Sequence, residues 1–418
     1  MPLDVDRIRA RFPALTRSLN DQPVVFLDGP AGSQVPQEVA DAVSRYLLST
    51  NANTHGPFAT SVESDRILGD ARAAVAAFLN AGDPREVVFG PNMTTLTFAL
   101  SRSLARTWNP GDEVVVTQLD HDANVTPWVL AARDAGATVR TAGVRVEDAT
   151  LDLDAFDAVL SERTRLVAFG AASNSVGTLN PIAELTRRAH AAGAEVFVDA
   201  VHYAPHALTD VAAWGCDYLA CSAYKFFGPH VGILWGRHDR LRALPAYQVR
   251  PAGDDMPDRF SIGTQSHEGI AGTLAAIEYL GGLGGGGAHR PALERAFAAI
   301  TLHERGLLAR LLRGLAEQPE YRVWGLADPG RLAERVPTVS ITHERISPNA
   351  LAAALAARGI FVWSGNYYAV ELSQALGREP HGMVRIGLLH YNTAAEIDRL
   401  LAALRSIADG GERASSSR

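Results

Sequence analysis

Apolar and polar positions alternate in two periods along most of the chain. Short apolar runs occur at Val24–Leu27, Glu86–Phe89, Glu113–Gln118, Thr138–Ala142, Thr164–Phe169, Glu195–Asp199 and Tyr218–Ser222. Their length and their content of Val, Ile, Leu and Phe predict strands. Between them lie stretches with helical spacing, such as Pro36–Leu48, Thr94–Arg106 and Ala183–Ala192, the last closed by Gly193 as a helix-ending residue. Repeated strand–helix–strand units predict an α/β fold, a mostly parallel sheet with helices on both faces. In such folds ligands sit beyond the carboxyl ends of the strands.

The pattern changes near Arg290. Long helices at Arg290–Leu315 and Asn349–Arg358 flank short strands at Thr338–Thr342, Ile360–Trp363 and Met383–Gly387, and a helix at Ala394–Ile407 follows. The expected organisation is an N-terminal segment 1–24 packing with the small domain, a large domain 25–287, a small α+β domain 288–408, and a disordered Gly- and Ser-containing tail 409–418. Gly282-Leu283-Gly284-Gly285-Gly286-Gly287 satisfies G-x-G-x-x-G, but it follows the helical stretch Ile270–Leu280. A dinucleotide site needs strand, turn and helix in that order, so this segment reads as an interdomain loop.

Composition narrows the function classes. The 418 residues carry a formal net charge of −7, with 47% hydrophobic and 20% charged residues. Mild acidity argues against a nucleic-acid partner, which usually requires a basic stripe. The amino terminus does not resemble a signal peptide and no apolar run is long enough to span a membrane, so a cytoplasmic protein with no membrane partner is expected. Two cysteines, Cys216 and Cys221, exclude a disulfide framework and a Cys-based zinc site. Of the 39 basic residues, one is lysine, Lys225; the rest are arginine. Arginine cannot lose its proton near neutrality, whereas lysine can become a nucleophilic amine.

Lys225 lies in Cys221-Ser222-Ala223-Tyr224-Lys225-Phe226-Phe227-Gly228-Pro229, at the carboxyl end of a predicted strand. Two further strands end at Asp199-Ala200-Val201-His202 and near Ser173-Asn174-Ser175-Val176-Gly177-Thr178. An amine, a carboxylate and an amide leaving one sheet edge match the needs of a pyridine aldehyde cofactor: a Schiff-base partner, a proton holder for the ring nitrogen, and a donor to the phenolic oxygen.

With these motifs the chain resembles aminotransferase class V, in the cysteine desulfurase-like branch of fold-type I pyridoxal-phosphate (PLP) enzymes. The likeness runs from about Phe26-Leu27-Asp28 to Tyr391-Asn392-Thr393. It implies a seven-stranded-type sheet sandwiched by helices, with PLP on Lys225 and Asp199 at the pyridine nitrogen. His202, where many relatives carry Gln, and Asn174 are implied at the phenolic oxygen. In Asp120-His121-Asp122-Ala123-Asn124, His121 is implied as the ring lying over the cofactor face. The two carboxylates beside it could suggest a metal site, but the second reads as solvated and no metal is expected. Thr94 and Thr95 resemble the phosphate-binding turn, which a helix start favours, and Ser222 and Tyr224 complete the phosphate cup. Thr264, in Gly263-Thr264, resembles the residue that reaches the phosphate of a neighbouring subunit, which implies a homodimer. Arg385, ahead of Tyr391-Asn392-Thr393, resembles the arginine that grips the substrate α-carboxylate through a bidentate pair. His55, in Asn51-Ala52-Asn53-Thr54-His55-Gly56, falls in a segment similar to an active-site loop.

The likeness breaks at Val362-Trp363-Ser364-Gly365-Asn366-Tyr367-Tyr368-Ala369. In a cysteine desulfurase this loop carries the thiol that becomes a persulfide. Here Tyr368 stands at that position and Trp363 replaces an arginine that often precedes it. Trp363, Tyr367 and Tyr368 point to a larger, more aromatic side-chain pocket than cysteine requires. The expected activity is β-elimination from a cysteine-derived amino acid, by a carbon–sulfur lyase that forms no protein-bound persulfide. Class V transamination and epimerisation share the same first step and remain alternatives. A non-catalytic PLP-binding sensor is the alternative of another kind; such modules usually come with a DNA-binding domain, for which the chain has no spare basic segment.

Overall fold

The computed structural model describes residues 3–415, and side chains of residues 3–410. Its centre is a seven-stranded sheet in the order Val87–Gly90, Gly232–Gly236, Tyr218–Ser222, Glu195–Asp199, Thr164–Gly170, Glu113–Thr117, Thr138–Ala142. The pairs from Tyr218–Ser222 to Thr138–Ala142 are parallel. Gly232–Gly236 runs antiparallel to both its neighbours. Helices cover both faces, which is why the central strands are buried throughout and read as continuous apolar runs. The edge strand Thr138–Ala142 is largely exposed and correspondingly polar.

Of the elements not anticipated, three bear most on the architecture. The helix Ala59–Leu79 buries Leu68, Ala71, Val75, Phe78 and Leu79, a helical spacing legible in the sequence, and ends at Asn80 in the left-handed conformation. Gly232–Gly236 is the second. Tyr321–Trp324 is the third, and it edges the small sheet. Val25–Phe26 does not join the large sheet; it pairs in parallel with Ile360–Phe361. The stretch expected as one strand, Ile360–Trp363, is split. Ile360–Phe361 pairs with the N-terminal strand, and Trp363–Gly365 joins the antiparallel small sheet beside Met383–Gly387.

Phe12 of the N-terminal segment is fully buried against Tyr391, Tyr279 and Phe227, with ring centroids 5.2, 5.5 and 6.0 Å away, inside the core beneath the large sheet. Arg9 reaches the last helix through Glu396 at 3.0 Å, and Arg399 of that helix donates to the Pro23 carbonyl. The segment therefore fastens both halves rather than the small domain only. The helix Arg290–Ala316 does the same, burying Leu293, Phe297 and Ile300 in the large core and Leu307–Leu315 in the small one. The glycine run links two helices, His267–Leu283 and Arg290–Ala316, with no strand before it. The closing helix runs Ala394–Ser415, so the expected disorder from Asp409 is not found as far as Ser415; residues 416–418 lie outside the described residues. Among the described residues no helix is long and apolar enough to cross a membrane.

Candidate active site

A cavity of about 420 Å3 opens at the carboxyl ends of the parallel strands. It is bounded by the strand ends carrying Asp199 and Ser222, by the turn carrying Asp120 and His121, and by the small-domain loop 363–368. Lys225 sits in the turn that follows Tyr218–Ser222 and is buried. Its ammonium contacts the carbonyl oxygen of Pro30 and lies 3.2 Å from that of Ala31 and 4.8 Å from the Tyr224 ring centroid. Burial, helped by the charge of Arg385, lowers its pKa to about 7, with Asp199 pulling the other way. A lysine in this setting has a substantial share of free amine near neutral pH, where an ordinary lysine has almost none.

Asp199 ends its strand, and Oδ1 accepts the Val201 N–H at 2.8 Å. Burial raises its pKa to about 6, against the Val201 hydrogen bond and Lys225. Among the described residues no cation forms an ion pair with it, so a protonated ring nitrogen would supply the missing partner. His202 bonds Thr338 Oγ1 through Nε2 at 2.9 Å, while its Nδ1 is buried with no partner. Burial holds its pKa well below the usual histidine value, so the ring is neutral. Asn174 donates to the Tyr367 carbonyl at 2.9 Å and its Oδ1 is buried and unpaired.

His121 accepts the Ala123 N–H on Nδ1 at 3.0 Å, which fixes the ring. Burial, with Lys225 and Arg385 adding to it, lowers its pKa to about 4. The neighbouring carboxylates are engaged by hydroxyl and amide groups close to them in the chain. Asp120 accepts from Thr117 and from Asn124 at 2.8 Å, and Asp122 from Thr126 at 2.9 Å. Among the described residues no group of three or more His, Cys, Asp or Glu side chains could hold a metal ion.

Asn92 caps the helix Met93–Ala105 by accepting the Thr95 N–H at 2.8 Å and the Thr95 hydroxyl at 2.9 Å. Thr95 is thereby engaged in the cap and does not line the cavity, whereas Thr94 does. The Met93 N–H donates to Ser222 Oγ at 3.1 Å, joining that helix start to the strand before Lys225. Open N–H groups in the first turn favour an anion here. Tyr224 lines the cavity and stacks on His230 with centroids 4.9 Å apart.

Arg385 lies on Met383–Gly387, fully inside the protein. Its Nη1 donates to the Asn174 carbonyl at 2.9 Å, its guanidinium carbon sits 4.3 Å from the Tyr367 ring centroid, and its Nε is unpaired. Burial lowers its pKa to about 10, leaving it cationic at neutral pH. A buried cation without an ion-paired carboxylate is a receptor for one. Asp28 is near enough to feel its charge, but burial raises the Asp28 pKa to about 6 and its Oδ1 has no partner.

Two expected site residues lie elsewhere on the chain. His55 is exposed, 3.4 Å from Asp65, and does not line the cavity. Its segment precedes the Ala59–Leu79 helix on the outside of the molecule, which the local sequence does not reveal. Thr264 is exposed in the loop before the helix His267–Leu283 and is also off this chain's own cavity. Sequence reasoning passed over Asn92 as a cap, although its position before a helix was a signal. It also gave no role to Asp28, or to the Pro30 and Ala31 carbonyls, which no local pattern links to Lys225.

A mostly parallel sheet with one buried amine at its carboxyl edge, a buried carboxylate ending the neighbouring strand, and a small antiparallel domain joined to it is the arrangement of a fold-type I PLP enzyme. The family model for aminotransferase class-V matches residues 25–400, and the chain belongs to that family. It is 34% identical to a cysteine desulfurase of Dickeya dadantii (strain 3937), over 96% of both chains. It is 33% identical to a probable cysteine desulfurase of Streptomyces coelicolor, over 97% of both. Among solved structures it resembles the apo cysteine desulfurase of Thermococcus onnurineus NA1, with TM-score 0.87 and 26% identity over 98% of this chain and 99% of that one. It also resembles the Escherichia coli cysteine desulfurase CsdA in an S-sulfonic acid form, with TM-score 0.84 and 25% identity over 98% and 99%.

The protein is thus a PLP-dependent enzyme. The cavity suits the cofactor on its own terms. It has one amine, a carboxylate lacking a cation, a neutral imidazole with an unpaired Nδ1, and a helix start for the phosphate.

Proposed function

We propose that this chain is a β-eliminating carbon–sulfur lyase acting on a cysteine-derived amino acid, and that it works without a protein-bound persulfide. The observation that carries this reading is the pairing of a complete α-carbon site with a mouth that has no thiol. Tyr368 occupies the loop, while Cys216 and Cys221 are buried in the core with burial pushing both thiols up. A thiol of raised pKa is a poor nucleophile.

When bound, PLP supplies an aldehyde for the amine and a ring that withdraws electrons from the substrate α-carbon. Thr94, Ser222, Tyr224 and the helix start at Met93 would hold its phosphate. His121 would cover its ring, Asp199 would keep the proton on its nitrogen, and His202 with Asn174 would face its phenolic oxygen. Arg385 binds the α-carboxylate and so orients the Cα–H bond toward Lys225. The neutral Lys225 amine takes that proton. In the net reaction the Cβ–S bond breaks, the departing sulfur leaves as a thiol, and water converts the carbon fragment to pyruvate and ammonium. No oxidant or reductant is consumed.

We further propose a homodimer, since Thr264 stands exposed and away from its own chain's cavity. A cytoplasmic setting suits two cysteines that are both free thiols. The test is incubation with L-cysteine followed by mass spectrometry. No sulfane-sulfur adduct on either cysteine is expected, while a thioether amino acid releases thiol and pyruvate. An adduct on Cys216 or Cys221, lost together with sulfur transfer in the Cys→Ala variant, would restore a desulfurase.

A further inference from the structure

The mouth of the cavity is aromatic, uncharged and fixed in shape. Trp363 is 53% exposed and Tyr368 is 69% exposed, although both are large rings that a protein normally covers. Trp363 is the direct antiparallel partner of Arg385. Side chains of such a pair leave the sheet on the same face, with Cβ atoms about 5 Å apart. Trp363 therefore leaves the small sheet on the same face as Arg385, and both line the cavity, the indole at the exposed rim and the guanidinium in the buried part. Further along the same loop, Tyr368 lies against His121, with ring centroids 5.4 Å apart and planes at 31°.

The loop between these rings is held rather than loose. Gly365, Tyr367 and Tyr368 all have positive φ, at 118°, 57° and 60°. Two consecutive tyrosines in that region are costly unless the surroundings impose it. The surroundings do. The Asp122 N–H donates to the Tyr368 carbonyl at 2.7 Å, Asn174 donates to the Tyr367 carbonyl at 2.9 Å, and the Tyr368 N–H donates to Asn366 Oδ1 at 3.1 Å. The loop backbone is thus pinned to Asp122 and Asn174 of the large domain, with the Tyr368 ring against His121.

Charge completes the picture. Every charged side chain on the cavity wall, from Asp199 and Lys225 to Arg385, is in the buried part, whereas Trp363, Ser364, Gly365, Asn366 and Tyr368 at the rim carry none. A substrate side chain with its own carboxylate or ammonium would find no partner there.

We infer that Trp363 and Tyr368 form a binding site for a neutral aromatic or similarly flat group on the substrate side chain. Combined with the lyase reading, on which the leaving group but not the aromatic site depends, this points to cysteine thioethers with an aromatic substituent on sulfur. An α-carboxylate on Arg385 leaves the side chain to extend toward the rim, where Trp363 and Tyr368 offer aromatic faces to a flat group.

The experiment uses the holoenzyme and two sets of ligands. S-benzyl-L-cysteine, S-methyl-L-cysteine and S-carboxymethyl-L-cysteine are compared by KM for thiol release. L-phenylalanine, L-alanine and L-aspartate, which lack a sulfur leaving group, are compared by dissociation constant and by α-proton exchange in D2O. The aromatic member of each set should bind about tenfold tighter than the methyl member, and the carboxylate member most weakly. In Trp363→Leu and in Tyr368→Leu the aromatic-to-methyl ratio should fall toward one. The wild-type series decides the matter even where a variant does not fold. Equal affinity for the aromatic and methyl members, or preference for the carboxylate, overturns the aromatic site and leaves the lyase reading untouched. An aromatic preference with α-proton exchange but no thiol release supports the site and overturns the lyase.

Discussion

Asn174 and Arg385 are tied by a 2.9 Å hydrogen bond from the guanidinium to the amide residue's backbone carbonyl, across the boundary between the two sheets. The same asparagine donates its side-chain N–H to the Tyr367 carbonyl. One residue of the large domain thus sets both the carboxylate receptor and the loop at the cavity mouth. The site is a product of the contact between domains, not of either alone.

Lys225 should be the sole point of covalent cofactor attachment, because no other ε-amine exists in the chain. Lys225→Ala should abolish attachment, and borohydride reduction followed by digestion should find the cofactor on Lys225 alone. Attachment to the apoprotein needs the free amine. With a folded pKa of about 7, its rate should rise with pH up to about 7 and level off above it. A rate still climbing steeply at pH 9, as an ordinary lysine gives, would contradict the burial argument.

Asp199→Asn should keep the cofactor bound while the rate drops about a thousandfold, equivalent to ~4 kcal/mol. An amide cannot hold the proton on the ring nitrogen, so negative charge at the α-carbon loses its stabilisation. Steady-state kinetics on a thioether substrate checks this, and a rate close to that of the unmodified protein would remove Asp199 from the role.

Asp120 should make the apoprotein less stable at neutral than at mildly acidic pH. Burial raises its folded pKa to about 7, against about 3.9 for a free aspartate. The folded state therefore binds more protons than the unfolded one between these values, and stability from this group is lost as pH rises through 7. Asp199, raised to about 6, acts in the same direction. Urea unfolding at pH 5 and pH 7.5 should give a smaller difference in Asp120→Asn than in the unmodified chain. An unchanged difference would show that Asp120 does not titrate in this window.

Light scattering of the holoenzyme should give a dimer. Thr264→Ala should weaken cofactor retention on the partner's site by about tenfold, corresponding to the loss of one hydrogen bond to an ionised group at ~1.4 kcal/mol. A fully active monomer at working concentration would overturn the shared site.

The sequence by itself determined the alternation of strands and helices, because strands buried on both faces have to be apolar and connecting helices have to be amphipathic. It also singled out Lys225 by composition and placed Lys225, Asp199 and Asn174 at strand ends, where a parallel sheet gathers its chemistry. Local pattern could not decide which strands pair. Gly232–Gly236 runs antiparallel and Val25–Phe26 leaves the large sheet, and these choices depend on partners far along the chain. The same is true of the site's finish. Lys225 rests on the carbonyls of Pro30 and Ala31, and Arg385 is anchored by Asn174. His55 is kept off the cavity even though its local sequence suits an active-site loop. Periodicity records which face of an element is buried; only the packed molecule fixes which buried groups meet and which are left unpaired, and those unpaired groups define the cavity's chemistry.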